Sequence, residues 1–271
     1  MASSEASFFK SPHRSIKITS YFHVYDHLLE PYVGKKITFV EIGILEGGSL
    51  FMWRDFFGKQ ARIIGVDLNP EAKKWEKDGF EVFIGDQNQK SFWENLGRRV
   101  GPIDVILDDG GHRYDQQIHT VEYGLDVLAD EGLLVIEDTV TSYQEGFGPR
   151  KYSFINYCRS RIDSINGRSD LINRDAEKRI WSMEFFDGIV AFRKSKFRLA
   201  SNSKTIENNL STQYILDYRY SDLALAGRID RIAYRLAFLD RVPGAKAFFK
   251  QARKIWLLSL KLRPSDLKKY F

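Results

Sequence analysis

The chain alternates short, almost wholly apolar runs with longer stretches whose apolar residues recur at helical spacing. The runs cover 37–42, 62–67 (RIIGVD), 81–85, 103–107 and 133–136. Continuous rather than alternating apolarity is the mark of strands covered on both faces, as in a buried parallel sheet. Helical spacing fits 19–32, where Phe22, Tyr25, Leu28 and Leu29 share a face behind a Thr19 cap, and also 50–57, 90–99, 115–129 and 153–165. Asn69-Pro70 opens a further helix with proline in its first turn. Runs 179–186 and 189–193 flank Asp187-Gly188, a hairpin signal. The pattern predicts an α/β fold with a mostly parallel sheet, closed by a hairpin whose last strand is inserted antiparallel. Residues 1–15, Ser-rich, read as mobile with Phe8 and Phe9 free to dock; 201–209 (SNSKTIENN) reads as linker. No internal repeat is visible.

The stretch 103–139 organises the rest. Its two apolar runs each end in an acidic pair, Asp108-Asp109 and Glu137-Asp138, with Gly110-Gly111-His112 and a helix between. Strand, helix, strand of this kind is a right-handed crossover. Neighbouring parallel strands lie ~4.8 Å apart, so both pairs reach the same carboxyl edge, where open α/β sheets bind ligands. Four carboxylates there repel one another unless protons or a cation intervene. Helix capping is the plainer alternative, but capping does not require adjacent acids on both strands. His13, His23 and His27 share no converging geometry and read as surface or packing histidines.

Composition narrows the class. With 43% hydrophobic residues and 14% aromatics the chain can fill a sizeable core. One cysteine, Cys158, excludes a disulfide framework and a cysteine-rich zinc site. The first residues lack the apolar core of a signal peptide, and no stretch approaches the ~20 apolar residues of a membrane span, so a cytoplasmic location is expected. The net charge of +5 is uneven: 228–271 holds twelve Lys/Arg and three Asp, a net +9, leaving −4 on residues 1–227. This tail carries two amphipathic stripes, Ile229, Ile232, Ala233 and Leu236, then Ala245, Phe248, Phe249, Ala252 and Trp256. Packing on the domain or on a sister subunit of a homo-oligomer is the first reading. A peripheral hold on the anionic inner face of a membrane is the second, and nucleic acid the least favoured.

After the first strand the chain reads Glu41-Ile42-Gly43-Ile44-Leu45-Glu46-Gly47-Gly48-Ser49. A glycine turn before a helix lets backbone approach a ligand, and the helix start supplies donors. Asp67, ending the second strand, can accept both ribose hydroxyls of an adenosine cofactor, and Asp86-Gln87 ends the third. The dinucleotide fingerprint G-x-G-x-x-G is absent. Glu41, Glu46, Asp67, Asp86 and Asp108 make an acidic rim that disfavours a pyrophosphate and suits a cationic cofactor such as S-adenosyl-L-methionine.

VEIGILEGGSLFMW, IIGVDLNP, FIGDQN, DVILDDGGH and LLVIEDTVTSY together resemble the class I S-adenosylmethionine-dependent methyltransferases. Within them the likeness is to the metal-dependent sugar O-methyltransferases of the mycinamicin type and the related cephalosporin-hydroxylase-like group, over about 17–143. The resemblance implies a Rossmann-like seven-stranded sheet, a bound Mg²⁺ and methylation of a sugar hydroxyl. It implies a methionine-binding turn at Glu41, Gly43 and Gly47, closed by Ser49, and a ribose-binding acid at Asp67. Asp86 and Gln87 fall on the adenine side, and Asp108 on the cofactor side. Asp109, Glu137 and Asp138 are the implied metal ligands and His112 the implied base, with Asp109 counted among the catalytic residues. The implied division is 1–35 as N-terminal segment and helix, 36–200 as methyltransferase domain and 201–271 as basic helical extension. The additional N-terminal domain of the macrolide enzyme has no counterpart, so its acceptor-reading residues do not transfer.

Three carboxylates without a nearby cysteine form a hard oxygen site, which favours Mg²⁺ over Zn²⁺ and leaves Mn²⁺ or Ca²⁺ open. Two vicinal sugar hydroxyls could fill its open positions, acidifying the attacking one. His112 could take the proton, or serve as a capping histidine. The other readings are a non-sugar polyol or catechol-like acceptor, a non-catalytic cofactor-binding subunit, an oxidation on the same fold and a nucleic-acid methyltransferase. An iron oxygenase wants two histidines and one carboxylate, which the cluster does not offer.

Overall fold

A computed structural model describes residues 3–166, 179–195 and 206. The chain divides into two units, 1–204 and 205–271. Except for Ile206, the second lies outside the described residues, and with it both stripes of the basic tail.

Seven strands form one sheet in the order β3-β2-β1-β4-β5-β7-β6. They are β1 (Thr38–Ile42), β2 (Arg62–Asp67), β3 (Glu81–Ile84), β4 (Ile103–Asp108), β5 (Leu128–Ile136), β6 (Ile180–Phe185) and β7 (Val190–Lys194). The first five run parallel, and β7 enters antiparallel between β5 and β6. The expected mixed sheet with an inserted last strand is present. Strand order reverses between β1 and β4, the switch point at which open sheets hold ligands. The register places Ile42 beside Asp108 and Asp108 beside Ile136, so β1, β4 and β5 end level. The acidic pairs are therefore brought together by the pairing itself.

Helices cover both faces. On one lie α1 (Ser4–Lys10), α2 (Thr19–Leu29), α3 (Gly48–Phe57) and a 3₁₀ segment (Pro70–Asp78). On the other lie α4 (Lys90–Val100), α5 (Tyr114–Val127) and α6 (Phe154–Asn166). Trp53, fully buried, packs edge-on against Tyr25, centroids 5.2 Å apart, and as near to Phe39, while its indole N–H reaches Glu41 at 3.0 Å. The core on this face thus supports the site directly. Asn69 caps the segment that follows, accepting from the Glu71 N–H at 3.1 Å, although nine residues of 3₁₀ form there instead of the expected α-helix.

The N-terminal expectation fails in its mobility, although Phe8 docks as allowed for. Residues read as mobile form α1, which packs Phe8 against Phe22 at 5.3 Å. The Ser4 amide donates to Asp26 at 2.8 Å and the Ser7 hydroxyl to Asp55 at 2.8 Å. Serine composition signals disorder only where the hydroxyls lack partners, and here both serines are buried. Among the described residues no helix is long and apolar enough to cross a membrane.

Candidate active site

The glycine turn is shaped by left-handed backbone. Gly43 has φ +82° and Gly47 φ +74°. A methyl group at Gly43 would lie 2.2 Å from the Asp109 carbonyl oxygen, so only glycine lets β1 and β4 deliver their loops this closely. At Gly47 it would strike the Trp75 ring. Asp67 is held beneath this turn by the amides of Ile44 at 3.1 Å and Asn69 at 2.8 Å.

A single cleft of about 490 Å³ starts at Asp67, Leu68, Gly85 and Gln87, passes Gly43 and Leu45, and ends at Asp109, His112 and Asp138. Among the described residues four non-glycines have positive φ, and three of them, Leu45, His112 and Asp138, line this cleft. Backbone strain of that kind costs ~1–3 kcal/mol per residue and persists where packing over-determines it, commonly at functional sites.

At the acidic end the carboxylates split by burial. Asp109 and Asp138 face the cleft, with side chains 22% and 26% exposed, and His112 joins them at 24%. The His112 Nε2 lies 3.4 Å from Asp138 Oδ2 and 3.9 Å from Asp109 Oδ1. One ligand atom from each of the three falls within 4.8 Å of the others, close enough to share an ion. The remaining oxygens are anchored: Asp138 Oδ1 accepts from the Tyr21 hydroxyl at 2.7 Å, and Asp109 Oδ2 from Lys17 Nζ at 2.7 Å. Burial, reinforced by Asp138, keeps the Tyr21 phenol protonated far above its ordinary range.

Glu137 points the other way. Its side chain is 1% exposed, and both oxygens lie 3.2 Å from Lys17 Nζ. Burial drives its pKa well above the carboxylate range, with Lys17 opposing. The Lys17 side chain is itself 1% exposed, with Glu41 Oε1 at 3.8 Å. Burial alone would discharge an ammonium; Asp109 and Glu137 outweigh it and hold the pKa well above the usual value. Glu41, with no exposure, accepts from Ser49 at 2.6 Å and Trp53 at 3.0 Å, and burial pushes its pKa up to about 7 against the pull of Lys17. The Tyr25 hydroxyl is buried in the same layer and, among the described residues, has no hydrogen-bond partner of good geometry, although Glu137 lies close enough to raise its pKa further.

Of the residues expected from sequence, Gly43, Asp67, Gln87, Asp109, His112 and Asp138 line the cleft. Glu41, Ser49, Asp108 and Glu137 lie behind it as buried supports. Asp108 accepts from the Gly110 amide at 3.0 Å and from the Gln87 amide at 2.9 Å, fixing the turn. Asp86 caps its own loop through the Asn88 amide at 2.9 Å. His13 stacks near Trp75 with centroids 4.5 Å apart, a packing histidine. Lys17, Tyr21 and Ile16 went unnoticed in the sequence. Tyr21 falls in a legible helical stretch, but nothing local marks Lys17.

Residues 40–139 match the family model described as a methyltransferase domain. Sheet order and family match together give the chain a Rossmann-like methyltransferase fold. It is 33% identical over 155 residues to demethylmacrocin O-methyltransferase of Streptomyces fradiae, covering 54% of this chain and 35% of that protein. Against the 8-demethyl-8-alpha-L-rhamnosyl tetracenomycin-C 2'-O-methyltransferase of Streptomyces olivaceus the identity is 31% over 137 residues, 48% of this chain and 36% of the relative. Among solved structures it is similar to the MycE methyltransferase of mycinamycin biosynthesis, crystallised with Mg and SAH. That likeness has a TM-score of 0.64 at 24% identity, covers 78% of this chain and 56% of the other, and establishes the fold. The matched part of the chain thus spans little more than a third of the length of these curated relatives.

Proposed function

We propose that the cleft binds S-adenosylmethionine and methylates a sugar hydroxyl with the help of a divalent cation. The observation that carries this is the continuity of one cleft from the Asp67 and Gln87 end to Asp109, His112 and Asp138. A donor seated on the glycine turn would present its methyl group toward the acids. Charge supports the reading. Glu41, Asp109, Glu137 and Asp138, if ionised, face one ammonium and leave three formal negative charges. A divalent ion and a sulfonium bring three positive ones.

The donor set fits a hard cation, since the two cleft-facing carboxylates are each anchored by one oxygen and free at the other. Asp109 and Asp138 would hold Mg²⁺ or Mn²⁺, whose chemistry there is to orient an acceptor hydroxyl and lower its pKa. Transfer exchanges a C–S for a C–O bond and releases the hydroxyl proton, and we assign its removal to His112 Nε2. The rest of the work is positioning of the reacting atoms in line, to which the rigid turns at Gly43 and Gly110 contribute. The names of the relatives, one of them acting on a rhamnosyl group, support a sugar acceptor. The basic segment 228–271 is read first as packing and second as a hold on anionic lipid. Sedimentation with anionic vesicles at low salt separates these, and absence of binding discards the lipid reading.

The test is a cofactor-consumption screen of the full chain against free, nucleotide-linked and lipid-linked sugars, with and without Mg²⁺. Release of S-adenosylhomocysteine only with both sugar and metal is expected. Turnover at full rate in EDTA would remove the metal from the reading, and calorimetry showing tight NAD binding without sulfonium binding would remove the cofactor.

A further inference from the structure

His112 and Asp138 both hold left-handed backbone, φ +55° and +52°, and their side chains meet 3.4 Å apart. That conformation is unfavourable for a residue with a side chain, and it relaxes unless the peptide plane that follows is held. Here each plane is held at both ends. The peptide after His112 has its N–H, that of Arg113, on Gln116 Oε1 at 3.2 Å, and its carbonyl 3.1 Å from the Thr141 hydroxyl. The peptide after Asp138 has its N–H, that of Thr139, on the Gly188 carbonyl at 3.0 Å, and its carbonyl accepts from the Thr141 amide at 3.1 Å. The same Thr141 hydroxyl lies 2.9 Å from that second carbonyl.

We infer that Thr141 is a positioning residue whose hydroxyl ties the left-handed turn at His112 to the left-handed turn at Asp138, and so sets the imidazole against the carboxylate. The inference rests on the reading above for the roles of His112 and Asp138. A threonine hydroxyl bonded to a carbonyl three residues back is an ordinary feature of helical turns. The bond to His112 is not: it spans 29 residues and joins the loop after β4 to the loop after β5. The hydroxyl has one proton, and the Asp138 carbonyl is already served by an amide, so the proton is needed more at His112. The 3₁₀ turn that carries the hydroxyl, Thr139–Tyr143, is itself fixed. The Tyr114 phenol donates to the Thr141 carbonyl at 3.0 Å, and the Ser142 hydroxyl accepts from the Ile155 amide at 3.2 Å. Tyr114, Thr141 and Ser142 are all buried, so solvent does not stand ready to replace the lost donor.

The experiment follows amide hydrogen exchange by NMR in the full chain, as wild type, Thr141→Val, Thr141→Ala, Thr141→Ser and Ser142→Ala, with near-ultraviolet circular dichroism to check folding. Thr141→Val and Thr141→Ala are expected to speed exchange of the Arg113 amide by at least about fivefold, the lower end of what leaving a buried acceptor unpaired costs, while Thr139, still held by two backbone bonds, stays within about twofold. The Leu125 amide, in the middle of α5, should not change. Thr141→Ser should restore the Arg113 value, and Ser142→Ala, which loosens the same turn without touching the tie, should leave it alone. On an acceptor returned by the cofactor-consumption screen, Thr141→Val should lower kcat by a similar factor with the KM for S-adenosylmethionine unchanged, and Thr141→Ser should recover it. The inference is overturned by an unchanged Arg113 amide, by an equal rise at Arg113, Thr139 and Leu125, by failure of Thr141→Ser to restore, or by loss of the fold in both hydroxyl-free variants. A full kcat in a variant whose Arg113 amide has loosened overturns the positioning role. A screen that returns no acceptor counts against the sugar reading alone, and the exchange data still decide whether the tie exists.

Discussion

At the end of β4, Asp108 is turned into the protein, 2% exposed, and holds the Gly110 turn and the Gln87 amide, while Asp109 beside it faces the cleft. At the end of β5, Glu137 is equally buried against Lys17, while Asp138 faces the same cleft from a left-handed backbone with φ +52°. Consecutive side chains leave a strand in opposite directions, which sets Asp109, one residue past β4, against Asp108. At β5 the division comes one residue later, Glu137 lying one and Asp138 two residues past the strand, and the left-handed turn at Asp138 redirects its side chain to the cleft. Two adjacent acids in a sequence are therefore not two copies of one function. The inner member is buried in the wall; the outer member faces the cleft.

This division can be broken from either side. Asp138→Asn suits the left-handed backbone and can still meet Tyr21. It is expected to cut methyl transfer by at least ~10³-fold, several kcal/mol of lost metal assistance. Melting temperature and S-adenosylhomocysteine affinity should hardly change, and a parallel fall in cofactor affinity would place Asp138 on the wrong side of the comparison. His112→Asn should lower turnover by ~10²–10⁴-fold, partly recovered at higher pH where hydroxide takes the proton. Its effect on Mn²⁺ affinity sharpens the outer set, since a large loss would make His112 a ligand as well.

For the inner members the expected loss is of stability. Glu137→Ala leaves the buried Lys17 ammonium with only Asp109 and Glu41 and should destabilise the fold by about 3 kcal/mol, read by denaturant melts, the lower end of what breaking a buried pair from one side costs. Glu41 offers the smallest and most specific test. Its pKa is raised by burial to about 7 from an unfolded value of 4.5, so the folded state binds the extra proton between those values. The stability it contributes is complete below pH 4.5 and is lost as pH rises through about 7. Glu41→Gln should therefore gain on wild type by about 3 kcal/mol between pH 4.5 and 8. A constant gap across that range would mean that Lys17 keeps Glu41 ionised throughout.

The sheet and the glycine-turn end of the cleft were legible because their signals are local. Unbroken apolar runs announce buried strands, and the glycines at 43 and 47 stand where backbone must turn left-handed. The partition within each acidic pair was not legible, since the sequence lists both acids without their directions. Lys17 was invisible for a different reason: its partners Asp109 and Glu137 are 92 and 120 residues away, and no short-range pattern encodes a contact of that span. The fold of α1 was hidden because its serines are buried against Asp26, Asp55 and the Phe22 carbonyl, partners supplied by other helices.

The contact between Lys17 and Glu137 also sets an order of events during synthesis. At ~5–20 residues per second the lysine waits several seconds before the chain that carries its partner has been made. The loop it closes is 120 residues long, and such non-local closures come late in folding because their entropy must be met before the contact forms. Strands β1 to β3 can pair, and the glycine turn can take shape, while the ammonium still lacks its acids. A nascent chain would then present a nucleoside-binding surface before it presents a complete reaction centre. Competence to bind cofactor and competence to transfer a methyl group should accordingly appear as two separate times in a refolding experiment, the first ahead of the second.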